Sequence, residues 1–347
     1  MTPRDIFLRA LHREPTPRPA TGSATSIVTT DLMEKTGRFF PEAHLDPEAM
    51  AGLAAAGHTE LGFDNVAPLF GVWTESAAMG CAVEWGAPDR MPACRRALYA
   101  MGDEIHIPPD LLSRPSTRTA LEAISLLKKR PGDEVAIVGK VFGPWTLGYH
   151  MFGVEEFLIN TLLQPDAVRR AIAALKEVAV RFGTAQVEAG ADALCLADHA
   201  TRDTCSPKAY RDFLFAVHQE LRERLPCPVV LHICGDTSDR LPFIAQTGLA
   251  CFHFDSKVPA AQARALAGER LSLMGGTSNL DLIQHGTPEA IRADVQEKLA
   301  AGIDIIGPEC AVPLNAPYRN LQLLAEEAKR AGRRARPADP SEDATCR

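Results

Sequence analysis

Pro228-Val229-Val230-Leu231-His232-Ile233-Cys234-Gly235 is an apolar run that ends in polar residues, and it reads as one strand of a repeating pattern. From about residue 134 onward, short β-rich runs of this kind alternate with amphipathic helical stretches. That alternation is the signature of βα units and a parallel sheet. The expected strands are 135–140, 193–197, 229–233, 251–255, 271–275 and 303–306, with two more near 18–20 and 65–69. The expected helices are 111–129, 154–163, 165–189, 207–224, 236–247, 260–267, 287–301 and 316–331. About eight strands with intervening helices predict an α/β fold, a (β/α)8 TIM barrel. Two helix starts carry clear signals. Gly286-Thr287-Pro288-Glu289-Ala290 offers a threonine cap, proline at the first helical position and acid in the first turn, and Ser206-Pro207 does the same for its helix.

The N-terminal region is less regular, and residues 71–101 read as an excursion with extended pieces, suited to a lid or cap over the barrel mouth. There is no internal repeat and no inter-domain linker, so residues 1–332 are expected to form a single barrel domain with N-terminal additions. The end, 333–347, is rich in Arg, Ala, Pro and acidic residues and is expected to be a disordered tail.

The same run suggests chemistry. Residues two apart on a strand point to one side, so His232 and Cys234 can converge on one ion, and Cys310 of Gly307-Pro308-Glu309-Cys310 can complete the set. Two thiolates and an imidazole suit Zn²⁺ better than magnesium or calcium, and three protein ligands leave a position open, as in a catalytic zinc site. In a barrel, polar residues at the carboxyl ends of strands are the ones to suspect. Here Asp198, His199, Thr201, Arg202 and Asp203 follow one strand; His232, Cys234 and Asp236 the next; then His253 and Asp255, Gly275-Gly276-Thr277-Ser278-Asn279, and Cys310. Taken singly, several have plain structural readings. Asp198 can cap the following loop, His253 can be a satisfied half-buried histidine, and Gly275-Gly276 can be a tight turn.

The composition fits that picture. The chain has 347 residues, 46% hydrophobic and 23% charged, with a formal net charge of -7. Basic residues cluster only toward the end, so a nucleic-acid surface is not expected. No apolar run is long enough to span a membrane, and the opening Met1-Thr2-Pro3-Arg4-Asp5 lacks the pattern of a signal peptide. The expected compartment is the cytoplasm. Nine cysteines, an odd number with irregular spacing, point to reduced thiols and metal or catalytic use over a disulfide framework. Cys195, Cys227 and Cys251 lie in or beside apolar runs and read as core.

These residues resemble the uroporphyrinogen decarboxylase-like family and, within it, the zinc-dependent methylcobalamin:coenzyme M methyltransferase branch. The resemblance spans nearly the whole chain. It is carried by Arg4-Asp5-Ile6-Phe7-Leu8-Arg9-Ala10-Leu11, Pro17-Arg18-Pro19, Glu75-Ser76-Ala77-Ala78-Met79-Gly80-Cys81, Gly143-Pro144-Trp145-Thr146-Leu147, Glu188-Ala189-Gly190-Ala191-Asp192, Leu231-His232-Ile233-Cys234-Gly235, Gly286-Thr287-Pro288-Glu289 and Glu309-Cys310-Ala311-Val312-Pro313. His232, Cys234 and Cys310 fit the branch's H-x-C and distant C one by one. Uroporphyrinogen decarboxylase itself is metal-independent and carries R-Q-A-G-R near its start. This chain has Ala20-Thr21-Gly22-Ser23-Ala24-Thr25 there, so the resemblance does not extend to porphyrin decarboxylation.

The resemblance implies methyl transfer from methylcobalamin, or a methyl-corrinoid, to a small thiol such as coenzyme M, with the thiol activated on zinc. Asp198 and Asp255 are then expected to orient His232 or to fill the open position. Glu75 and His199 are expected at the pocket mouth, with Gly275, Gly276 and Asn279 beside the cofactor. None of the ten histidines has an aspartate two residues before it, so a separate corrinoid protein is the expected partner. Gly275-Gly276-Thr277-Ser278-Asn279 replaces the branch's common G-N-V-D-P, and Asp198-His199-Ala200-Thr201 also differs, which leaves the methyl acceptor open. Homocysteine- or folate-linked transfer and a non-catalytic corrinoid- or metal-binding protein stand as alternatives.

Overall fold

The structure is a computed structural model and describes residues 1–130 and 133–330; the expected tail lies outside the described residues. Ten short strands organise it: β1 (Ala20–Thr21), β2 (Asn65–Val66), β3 (Val83–Glu84), β4 (Ala93–Cys94), β5 (Ala136–Phe142), β6 (Ala193–Ala197), β7 (Val229–His232), β8 (Cys251–Phe254), β9 (Ser272–Gly275) and β10 (Ile305–Ile306). Eight form one parallel sheet in the order β1-β10-β9-β8-β7-β6-β5-β2. The two edges of that sheet meet. Asp64 N donates to Thr21 O at 2.9 Å, and the Asn65 amide accepts from Ser23 N and donates to Ser23 O. The sheet therefore closes into the (β/α)8 barrel that the sequence predicts.

Every residue of β5 and β6 is buried, because helices cover the outer face and side chains fill the inner one. At the amino ends of the strands, ion pairs tie the N-terminal segment to the barrel: Arg4 to Asp192 at 2.8 Å and Arg18 to the fully buried Asp64 at 2.7 Å. No helix among the described residues is long and apolar enough to cross a membrane.

Helix Pro165–Ala189 has the expected bounds and ends on Gly190 in the left-handed region (φ 119°), where glycine alone carries no Cβ penalty. Thr287 caps Pro288–Ala300 through Ala290 N, and Ser206 accepts from Ala209 N, as their signals predict.

Other elements differ from expectation. The 207–224 helix contains a π-helical turn, Tyr210–Phe215, whose altered register brings Tyr210 and His218 together. The expected 236–247 helix shrinks to Leu241–Ile244. Asp236 there accepts from Ser238 N and Oγ in a turn, and Pro242 fits only a first helical turn. Residues 71–101 hold the antiparallel β3–β4 hairpin and a helix, Thr74–Met79, too short for any periodicity to announce. Upstream, Thr30–Thr36, Glu42–Leu45 and Pro47–Thr59 are also helical.

Candidate metal centre

His232 is the last residue of β7, and Cys234 lies two residues on, before Gly235 turns the chain at φ 80°. Cys310 lies in the loop after β10. The three side chains meet at the carboxyl end of the barrel: His232 Nε2 is 3.1 Å from Cys234 Sγ, Cys234 Sγ is 3.2 Å from Cys310 Sγ, and Cys310 Sγ is 3.3 Å from His232 Nε2. Among the described residues, this is the group of His, Cys and acidic side chains placed to hold a metal ion. The edges are near the roughly 3.5–3.8 Å that a tetrahedral set of zinc–sulfur and zinc–nitrogen bonds would span.

The two thiols divide one proton between them. Cys234 is held protonated, its S–H donating to Cys310, and burial reinforces this. Cys310, receiving that hydrogen bond, is pulled well below the usual thiol range despite its burial. Two thiolates this close repel each other, and a borderline divalent cation is the partner that lets both ionise.

The surrounding residues fix the donors. His232 Nδ1 donates to His253 O at 3.2 Å, which leaves the Nε2 lone pair for the metal position. His253 Nε2 in turn donates to Pro308 O at 2.8 Å, two residues before Cys310. Burial in an apolar layer holds the His253 imidazole neutral, with its pKa down at about 3, and its Nδ1 has no partner. Gly275 makes room for that ring: at φ 92°, a Cβ there would sit 2.5 Å from His253 Cδ2. A Cβ on Gly276 would meet the Phe254 ring at 2.4 Å. The two glycines thus serve close packing behind the ligands.

Asp255 accepts from Gly235 N at 2.8 Å and Lys257 N at 3.0 Å, so it holds the turn that carries Cys234. Glu309 accepts from Ser256 N at 2.9 Å and Asn279 N at 2.8 Å, and Asn279 Nδ2 donates to Ala311 O at 2.9 Å. Cys310 is therefore pinned on both sides.

Asp198 directly follows β6, as expected, and its N donates to His232 O at 3.0 Å, but its carboxylate turns to other partners. It is fully buried, accepts from Thr146 N at 2.9 Å, and pairs with His218 Nε2 at 3.0 Å, whose Nδ1 meets Tyr210 at 3.0 Å. It does not orient His232, since the His232 Nδ1 hydrogen is committed to His253 O. Its effect on the site runs through Thr146, whose hydroxyl accepts from His199 N at 2.7 Å. The His199 ring lies 6.3 Å from Phe142, and burial together with the nearby His232 lowers its pKa. Glu75 reaches the end of β5, where Oε1 accepts from Phe142 N at 2.8 Å while Oε2 is buried without a partner. Burial pushes this carboxyl up to about 7. Trp73 stacks on His150 at 4.0 Å beside it.

Sequence reasoning missed two residues. Glu309 stood inside a motif read only for its cysteine. Lys140, buried on β5, is a charged residue within an otherwise apolar strand, a visible signal that was passed over.

The family model described as Uroporphyrinogen decarboxylase (URO-D) matches residues 2–331. The chain is 34% identical over 302 residues to a methylated-thiol–coenzyme M methyltransferase of Methanosarcina mazei, covering 87% of this chain and 82% of that protein. It is 31% identical over 321 residues to the methylcobamide:CoM methyltransferase MtaA of Methanosarcina barkeri, covering 92% and 95%. A solved methyltransferase structure from Methanosarcina mazei superposes with a TM-score of 0.92 at 30% identity, over 95% of this chain and 99% of that one.

Proposed function

The chain belongs to the uroporphyrinogen decarboxylase (URO-D) family, and within it we propose a corrinoid-dependent thiol methyltransferase whose metal, zinc, is held by His232, Cys234 and Cys310. The observation that carries this reading is the triangle of donors, 3.1–3.3 Å on each side, in a chain whose relatives are named coenzyme M methyltransferases. Zinc in such a site supplies a positive charge that lowers the proton affinity of a thiol at its open position. The methyl-carrying substrate is methylcobalamin or a methyl-corrinoid borne on a separate protein. A lone pair of the thiolate sulfur attacks the methyl carbon and an S–C bond forms. The Co–C bond breaks with both electrons left on cobalt, so Co(III) becomes Co(I) and a thioether departs.

The chain's own residues prepare that encounter. His253 fixes the ring of His232, Asp255 holds the Cys234 turn, and Glu309 with Asn279 holds Cys310. His199 borders the space where thiol and corrinoid meet, and the fully buried Glu75 supports the end of β5 behind it. Gly275, Gly276 and Asn279 shape the loops behind the ligands. Residues 1–332 form one catalytic domain in this reading. We place the protein in the cytoplasm, where the described cysteines, all free thiols, stay reduced.

The test is the zinc content of protein purified under reducing conditions without chelator, compared with Cys234→Ala and Cys310→Ala. About one zinc per chain is expected in the wild type and none in either variant. The loaded enzyme should then consume methylcobalamin in the presence of 2-mercaptoethanesulfonate. A zinc-free wild type, or zinc that survives both substitutions, overturns the reading.

A further inference from the structure

We propose that Lys140 recognises the thiol substrate by binding an acid group at the far end of a short carbon chain. The inference rests on the methyltransferase reading and adds the residue that selects the acceptor. Lys140 lies on β5 in register with Cys195, two residues before Phe142; Phe142 is in register with Ala197, and Ala197 with His232. Two residues of strand rise about 6.6 Å, so Lys140 stands one layer beneath the metal ligands. Its Nζ lies 5.7 Å from the centroid of the Phe142 ring, which turns the ammonium back up toward the mouth.

Lys140 is only 5% exposed, yet Nζ takes part in none of the hydrogen bonds or ion pairs among the described residues. Glu75 does not neutralise it by contact, because Oε1 is spent on Phe142 N and Oε2 is unpartnered. Burial lowers the pKa of its amine, and the nearby Cys195, Glu75 and Cys310 oppose that shift. A buried ammonium without a counter-ion is costly, and a ligand anion in that space removes the cost. A thiol with its sulfur among the metal ligands and an acid group on a short alkyl chain would meet the Lys140 ammonium on the same inner face of the barrel. Carboxylates and sulfonates share this chemistry, and thiols with neutral or cationic tails do not.

The experiment uses the full-length protein loaded with Co²⁺ in place of zinc, in which a thiolate on the metal gives a charge-transfer absorption. Wild type and Lys140→Met are titrated with 2-mercaptoethanesulfonate and with 2-mercaptoethanol. Wild type is expected to bind the sulfonate at least about tenfold more tightly, the scale of a charge-assisted hydrogen bond. Lys140→Met is expected to lose that advantage while its affinity for the neutral thiol changes less than about threefold. Equal binding of the two thiols by wild type, a readout that needs no variant, overturns the inference and leaves the methyltransferase reading standing. Equal weakening of both thiols in Lys140→Met overturns it too, because the lysine would then act on the sulfur end. If neither thiol perturbs the wild-type band, the methyltransferase reading falls and takes the inference with it.

Discussion

Replacing Glu75 with glutamine should make this protein more stable at neutral and alkaline pH. The carboxyl is fully buried, and burial raises its pKa from the ordinary 4.5 to about 7 in the folded chain. Below the unfolded value both states carry the proton and nothing is lost. Between pH 4.5 and about 7 the unfolded chain releases the proton that the folded chain still holds, so wild-type stability falls as pH rises. A gap of about 2.5 pH units at roughly 1.4 kcal/mol each costs the folded state about 3 kcal/mol once pH exceeds the folded pKa. Glutamine has no such proton, and its amide oxygen can keep the bond from Phe142 N. Urea unfolding of the two proteins at pH 4.5, 5.5, 6.5 and 7.5 should therefore give a stability difference near zero at the acid end. The difference should grow by about 1 kcal/mol per pH unit and reach several kcal/mol at the alkaline end. Parallel pH profiles would refute the reasoning, since they would mean that Glu75 titrates alike in both states.

Two further outcomes follow from the ligand loops. Glu309→Gln sets an amide NH₂ against a backbone N–H of Ser256 or Asn279, and should weaken zinc binding about 10–100-fold by chelator competition; unchanged affinity would mean that Cys310 is placed without it. Removing zinc with a chelator should leave the far-UV circular dichroism intact while thiol binding at the metal is lost, because the barrel closes through its own backbone bonds. Loss of secondary structure on chelation would contradict that.

The barrel was legible because its strands are apolar and alternate with helices of the right length, and because strand parity alone puts His232 and Cys234 on one side. Cys310 was legible by its place after the last strand and by resemblance. What stayed hidden depends on long-range side-chain bonds. Asp198 is expected to orient His232 or to fill the open position, yet its carboxylate bonds Thr146 and His218, which come from two different helical segments. One of those contains a π turn that an ordinary 3.6-residue period cannot reveal. Asn279, expected beside the cofactor, also bonds Ala311, 32 residues away, a contact that no local spacing announces. Lys140 could be seen as a charge in an apolar strand, but its inward direction follows only from the pairing register with β6.

The arrangement of charge explains how one barrel can hold so reactive a cluster. Arg4–Asp192 and Arg18–Asp64 bind the N-terminal segment at the amino ends of the strands, where they stabilise the fold without touching the chemistry. At the carboxyl ends, a single relay joins the ligands: His232 Nδ1 to His253 O, and His253 Nε2 to Pro308 O, two residues from Cys310. The imidazole and the distant thiol are thus set relative to each other by β8, which supplies no ligand. A small zinc module gains its fold from the metal. Here the barrel positions the three donors through its own bonds, so in the proposed zinc site an open coordination position would be left for substrate without cost to the fold.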